Sequence, residues 1–271
     1  MRINKFISES GACSRREADK WIADGRVTCN GVPATLGTRV EASDDVRVDG
    51  APIAAKRTPV YIALHKPVGI TSTCESHIPG NILDLVAFPE RIFPVGRLDK
   101  ESEGLILLTN DGDIVNEILR SEHNHEKEYV VTVDRPVTDM TLALLQSGVR
   151  IMGEMTKECR AMRAGDCSFR ITLTQGLNRQ IRRMCSALGY RVQRLQRVRI
   201  SNILLGSLAA GRWRHLTTEE LAGLLPARFH SPRSASAVTP SVQRRPVATR
   251  QSGSSALPAS QRKKSGPWPA Q

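Results

Sequence analysis

The chain is 271 residues long, carries 39 lysines and arginines against 27 aspartates and glutamates for a formal net charge of +12, and has only 4% aromatic residues. That length holds a small domain and a medium one, each with its own core, which excludes a peptide scaffold. The charge excess makes a polyanion such as RNA or DNA the first partner to consider, and the scarcity of aromatics excludes a binder that stacks many successive bases.

Residues 1–55 read as a unit of their own. Ile3, Phe6 and Ile7 at helical spacing predict a first helix that Gly11 stops. Ser14-Arg15-Arg16-Glu17 predicts a capping box opening a second helix, with Ala18, Trp21 and Ile22 as its buried stripe and Gly25 at its end. Asn30-Gly31 and Asp49-Gly50 lie between short alternating segments and suit type I′ hairpin turns, because Asn, Asp and Gly tolerate positive φ. Residues 54–59 are the expected linker. A larger domain over 56–227 should then carry strands at 61–65, 104–109, 127–133 and 168–175, and helices near 112–120, 138–147, 178–188 and 217–225. Clustered strands without regular βαβ repeats favour an α+β fold over a doubly wound sheet. From Arg228 to Gln271 there are nine Ser, six Pro, eight Lys or Arg and no acidic residue. Such a segment buries too little apolar surface to order itself and reads as a disordered basic tail.

The tail holds +8 of the net charge, leaving +4 for the rest, so the placement of charge says more than its sum. Residues 167–218 contain ten arginines, no lysine and no acidic residue. A planar, bidentate guanidinium field of one sign suits phosphate binding better than a generic solvated face. At its centre stands QGLNRQIRRMCSALGY, where Asn178 can cap a helix that turns Ile181, Cys185 and Leu188 to the core and ends at Gly189. Arg179, Arg182 and Arg183 then sit in its first turns, where the helix itself favours anions. Residues 1–55 balance eight positive against eight negative side chains. There Arg2, Lys5, Arg15, Arg16, Lys20 and Arg26 cluster on or beside the two short helices, as candidate RNA contacts.

The stretch GRLDKESEGLILLTNDG sets Asp99, Lys100, Glu101 and Glu103 before an apolar run. Acidic residues in that position are commonly turn formers, whereas a pair of carboxylates with separated pKa values does acid and base work. Arg97 and Lys100 flank Asp99 with positive charge that keeps it ionised and attracts a phosphodiester. Leu98 offers an apolar contact for a base.

Together GRLDKESEGLILLTNDG, LHKPVGITST before it, KEYVVTV after it and LNRQIRRM further on resemble the bacterial ribosomal RNA pseudouridine synthases. RINKFISESGACSRREADKWIADGRVTCNG is similar to the small alpha-L RNA-binding module they share with a small-subunit ribosomal protein. The match runs in order over residues 1 to about 226, and HEKEYVVTVDRPVT with GLNRQIRRMC is most similar to the subgroup acting on 23S rRNA. The resemblance implies a small α/β RNA-binding domain followed by a mixed, mainly antiparallel catalytic domain. It also implies isomerisation of a specific uridine to pseudouridine, without metal or organic cofactor. Asp99 matches the family's nucleophile, Tyr129 the tyrosine that packs on the flipped base, and Arg182 the basic residue that pairs with the aspartate. Arg97, Leu98, Lys100, Arg179, Gln180, Ile181 and Arg183 are the candidate RNA contacts of this domain. By pattern alone Tyr129 would be a core or edge aromatic.

Other readings stay open on the residues themselves. Asp99 with Glu101 could form a hydrolase pair, or the whole chain could be a ribosome-assembly factor that changes nothing covalently. His123 and His125 with distant cysteines fit no standard zinc spacing. Cys13, Cys29, Cys74, Cys159, Cys167 and Cys185 form no C-x-x-C and read as reduced thiols. With no membrane-length apolar run and no signal-peptide core, the chain is expected in the cytoplasm, as a monomer away from membranes. Its expected partner is 23S rRNA, with a tRNA anticodon arm as a further candidate.

Overall fold

A computed structural model describes residues 1–53, 57–75, 77–119 and 125–229. Its first unit begins with α1 (Ile3–Glu9) and α2 (Arg15–Ala23), followed by β1 (Val27–Cys29), β2 (Val32–Pro33), β3 (Val46–Val48) and β4 (Ala51–Pro52) in the sheet order β2-β1-β3-β4. Both predicted hairpin turns form. Asn30 and Gly31 take φ of +52° and +81°, and Asp49 and Gly50 take +50° and +78°, as a type I′ turn requires. Ser14 Oγ accepts from the Glu17 amide at 3.1 Å, so the serine arm of the predicted box is made. The return bond from Glu17 is not among the hydrogen bonds of the described residues; both arms are present instead at Thr217 and Glu220. Ile3, Ile7, Ala18 and Ile22 lose nearly all exposure against Val27 and Val46, and each fully buried Ile or Val stabilises by roughly 1.5–3 kcal/mol.

Ala54, Ala55 and Lys56 of the expected linker lie outside the described residues. The second unit runs β5 (Tyr61–Lys66), α3 (Ile82–Val86), β6 (Phe93–Val95), β7 (Glu103–Thr109), α4 (Asp113–Leu119), β8 (Lys127–Val133), α5 (Asp139–Ser147), β9 (Arg150–Ile151), β10 (Glu154–Met155), β11 (Arg160–Gly165), β12 (Ser168–Leu173), α6 (Gln180–Ala187), β13 (Val192–Ile200), β14 (Ile203–Leu204), β15 (Trp213–His215), α7 (Thr218–Leu224) and α8 (Pro226–Phe229). Its main sheet has the order β11-β12-β8-β13-β7-β5-β15, with β14 on β13 and β6 on β7. The pairings are antiparallel except β13 with β7, which run parallel through Gln196 opposite Glu103 and Arg197 opposite Gly104. The fold is α+β, as expected.

Strands β5 and β7 are buried on both faces, which is why they read as continuous apolar runs. Ile62, Leu64, Ile106 and Leu108 pack toward α3, whereas Tyr61, Ala63, Leu105 and Leu107 pack toward α4 and α7. On the other half of the sheet, Val131, Phe169, Ile171 and Leu195 are covered by α5 and α6. Tyr129 touches both halves, at the seam between two cores.

Helix α8 runs across the expected boundary at 227 to Phe229. Arg228 pairs with Glu117 at 2.9 Å and with Asp111 at 3.4 Å, and the Phe229 ring meets Tyr61 edge-on at 5.8 Å. A lone arginine at the head of a polar tail looks like part of the tail; its partners lie more than a hundred residues away. Residues 230–271, the rest of the expected tail, lie outside the described residues.

Candidate active site

The GRLDKESEG loop is tied down at successive backbone positions around Asp99. The buried Ser72 hydroxyl donates to the Leu98 carbonyl at 2.8 Å and accepts from the Leu98 amide at 3.2 Å. The Gly69 amide donates to the Lys100 carbonyl at 2.8 Å, and the Ser102 amide closes a turn onto the Asp99 carbonyl at 3.0 Å. Arg182 Nη2 donates to the Glu101 carbonyl at 3.1 Å and to Ser102 Oγ at 3.3 Å. The main chain on both sides of Asp99 is therefore committed, while its carboxylate, with 32% of the side chain exposed, faces the cleft. Fixing the carrier backbone and freeing the carboxylate is what positioned chemistry needs.

Arg182 does not pair with Asp99, contrary to the sequence expectation. The cation nearest that carboxylate is Arg179, with Nη1 3.9 Å from Asp99 Oδ2 and 2.5 Å from Glu101 Oε2. The reason lies in the start of α6. Arg179 takes a left-handed φ of +51°, so the helix begins at Gln180 and the side chain swings over the loop, while Arg182 points at the loop's backbone. Asn178 accordingly is not the cap; its side-chain and main-chain oxygens accept from Arg183. Ile181, Cys185 and Leu188 do face the core, and Gly189 ends the helix. A partly exposed ion pair at 3.9 Å contributes at most about 1 kcal/mol, so Arg179 biases the charge state of the site more than it stabilises the fold. Both neighbouring acids are engaged: Arg179 holds the Glu101 carboxyl below its usual range, and Glu103 pairs with Arg194 at 2.6 Å.

Around Asp99 opens a cleft of about 900 Å³, within the usual size of a ligand pocket. Leu98, Tyr129, Gln180, Ile181 and Leu195 give it apolar and amide walls. Among the described residues six cations line it, Arg97, Lys100, Lys127, Lys157, Arg179 and Arg197, against one carboxylate, Asp99. Arg97 and Lys100 are exposed, as phosphate contacts should be, whereas Arg183 lies back on Asn178. Behind the loop, the wholly buried Lys66 ammonium donates to the Pro67 and Ile70 carbonyls at 2.9 Å each. Burial pushes it down to about 8, an effect that the Asp99 charge partly offsets.

The first unit places its predicted contacts unevenly. Arg2 and Arg15 line a shallow pocket of about 330 Å³ with Lys5 and Arg39, and Arg16 and Lys20 are exposed. Lys5 reaches across to Asp113 at 2.6 Å, and Arg26 is held by Asp49 and lies over Trp21 at 5.1 Å. Those two already have partners within the protein.

Ser72, Lys66 and Lys127 carry no signal in the sequence that places them here, and Arg197 stands there only as one arginine of the basic field over 167–218. LHKPVGITST contains the first two, and nothing about a lysine or serine in a strand-and-loop segment marks it as a clamp. Cysteine chemistry is disfavoured by burial, which pushes Cys13 and Cys159 up to about 11 and Cys185 to about 12. His123 lies outside the described residues, and among the described residues no group of three or more His, Cys, Asp or Glu could hold a metal ion. Nor is any described helix long and apolar enough to cross a membrane.

Comparison with known proteins places this geometry among relatives. Residues 60–187 match the RNA pseudouridylate synthase family and residues 1–52 the S4 domain. The chain is 53% identical over 226 residues to the dual-specificity RNA pseudouridine synthase RluF of Escherichia coli O6:H1, covering 83% of this chain and 78% of the relative. It is 33% identical over 238 residues to the ribosomal large subunit pseudouridine synthase B of Bacillus subtilis, covering 84% and 97%. A crystal structure of a pseudouridylate synthase superposes with a TM-score of 0.62 at 29% identity, covering 83% of this chain and all of that one.

Proposed function

This chain belongs to the RNA pseudouridylate synthase family and is an RNA uridine isomerase with an S4 domain; we propose that its substrate is a uridine of 23S rRNA, with a tRNA anticodon arm as a second target. The single observation that carries the site assignment is Asp99, the lone carboxylate lining a cleft with six cations, on a loop whose backbone is bonded at residues 98 to 102. The names of the relatives support the substrate: one is dual-specific, another acts in the large ribosomal subunit.

In this reading the target nucleotide leaves its stack and enters the cleft, with its base on Tyr129 and Leu98 and its phosphates on Arg97 and Lys100. Asp99 attacks the nucleotide as the bond from the sugar to N1 of uracil breaks, and that bond's electron pair leaves with the uracil. The uracil turns and C5 bonds to the sugar as the bond to Asp99 breaks, its electron pair returning to the carboxylate; the C5 proton passes to water with help from Tyr129, and N1 takes up a proton. No atom is gained or lost. Arg182 acts through the loop it holds. Arg2, Arg15, Arg16 and Lys20 give the S4 domain its RNA face.

Release of tritium from C5 of uridine tests the substrate. The expected result is loss of label to water without strand cleavage from 23S rRNA transcripts, and from tRNA transcripts at the second site. Label kept in both by a folded protein would refute the assignment. Arg182→Ala should lower turnover by about 100-fold with RNA affinity within about threefold. Lys100→Ala should instead weaken RNA binding and make its salt dependence shallower by about one phosphate contact. If Arg182→Ala gave only the Lys100 pattern, its part would reduce to phosphate binding.

A further inference from the structure

Arg197 is the most unusual cation of the cleft. It sits on β13, only 4% exposed, and among the described residues no carboxylate lies within ion-pair distance. Its Nε donates to the Leu105 carbonyl at 2.7 Å, and its Nη2 is buried with no partner. The guanidinium carbon is 6.0 Å from the centre of the Tyr129 ring, its cross-strand neighbour. A buried charge with one neutral partner is costly, and a fold keeps it where a negative charge will appear. The backbone carrying it is fixed as well: residue 197 is pressed against Gly104, five residues after Asp99. A second cation, Lys127, lines the same cleft, its ammonium pushed down chiefly by burial and also by the Arg197 charge.

Resting on the reading of this site as a uridine isomerase, we infer that Arg197 is an electrostatic positioning residue. From the wall of the cleft, beside Tyr129, it stabilises the negative charge that spreads over N1, O2 and O4 of uracil once the bond to the sugar breaks. A phosphate would be held at the exposed rim by Arg97 and Lys100, whereas Arg197 lies among Leu105, Leu195 and Tyr129, surroundings that suit a planar base. Low local polarity strengthens the interaction while the uracil is detached, and it is weak before and after, so it favours the intermediate over substrate and product.

The test compares 23S rRNA transcripts made with uridine or with 5-fluorouridine, in single-turnover cleavage of the bond to N1. Fluorine withdraws electrons and makes the departing base a more stable anion, so it needs less help. Arg197→Gln keeps a donor for the Leu105 carbonyl and removes the charge. It should slow the uridine reaction about 100-fold at unchanged RNA affinity, and the fluorinated one by only about tenfold. Arg197→Lys, which keeps the charge, should retain more than about a tenth of the wild-type rate, and it carries the test if the glutamine variant does not fold. Equal defects on both RNAs, or a lysine variant no better than glutamine, would overturn the role of Arg197 alone. No cleavage of either RNA by the wild type would instead refute the proposed substrate.

Discussion

Asp99→Asn should abolish tritium release, by roughly 10⁴-fold or more, while leaving the fold and RNA affinity intact. The substitution is nearly isosteric, and the carboxylate contributes little to stability because its ion pair with Arg179 is long and partly exposed. What it removes is the proposed nucleophile. The measurement is label release from a 23S rRNA transcript at saturating enzyme, with filter binding as the control for affinity. Glu101→Gln should stay within about tenfold of wild type, since Glu101 serves mainly to hold Arg179. Wild-type release by the asparagine variant would end the assignment of Asp99, and strand cleavage by the wild type would favour a hydrolase pair.

Gly104→Ala should destabilise the protein by roughly 3–5 kcal/mol, because the added methyl group would collide with backbone. Gly104 has a φ of +110°, and a Cβ there would lie 2.2 Å from the Arg197 carbonyl oxygen and 2.6 Å from its amide nitrogen. Both obstacles are backbone, at the parallel junction of β13 with β7, so neither can rotate away. Gly153 is the internal comparison. Its φ of +85° is also left-handed, yet nothing lies within 4 Å of its absent Cβ, and Gly153→Ala should cost only about 1 kcal/mol. Equilibrium denaturation of the two variants separates strain from collision. A loss below 1 kcal/mol in Gly104→Ala would mean that the strands part easily and that the loop and Arg197 are not rigidly joined.

These two positions bracket the loop and show why GRLDKESEG has its particular form. Asp99 needs cations and freedom of its carboxylate; Gly104 needs the absence of a side chain so that a strand can pass. Between them, Glu101 neutralises Arg179 at the site and Glu103 neutralises Arg194 on the neighbouring strand.

The amino-acid sequence by itself determined the local elements and the class of chemistry. The helical spacing of Ile3 and Ile7, the Asn-Gly and Asp-Gly turns and the apolar runs of β5 and β7 are signals carried by neighbouring residues, and local sterics and burial act on neighbours. Through their resemblance to the family, the ordered motifs also put Asp99 and Tyr129 forward as candidates for the site. Tertiary structure alone decided what depends on partners remote in the chain. The nine-residue strand β13 escaped prediction because Arg194, Arg197 and Arg199 break its apolar alternation. Each is accommodated by a partner on or next to another strand: Glu103, the Leu105 carbonyl, and Glu126 with Glu128. In the same way Arg182 reads from its motif as the partner of Asp99. The left-handed turn at Arg179 instead brings Arg179 to the carboxylate and Arg182 to the main chain behind it. A charged side chain advertises its sign in the sequence, but the group that answers it is chosen by the packing of the sheet.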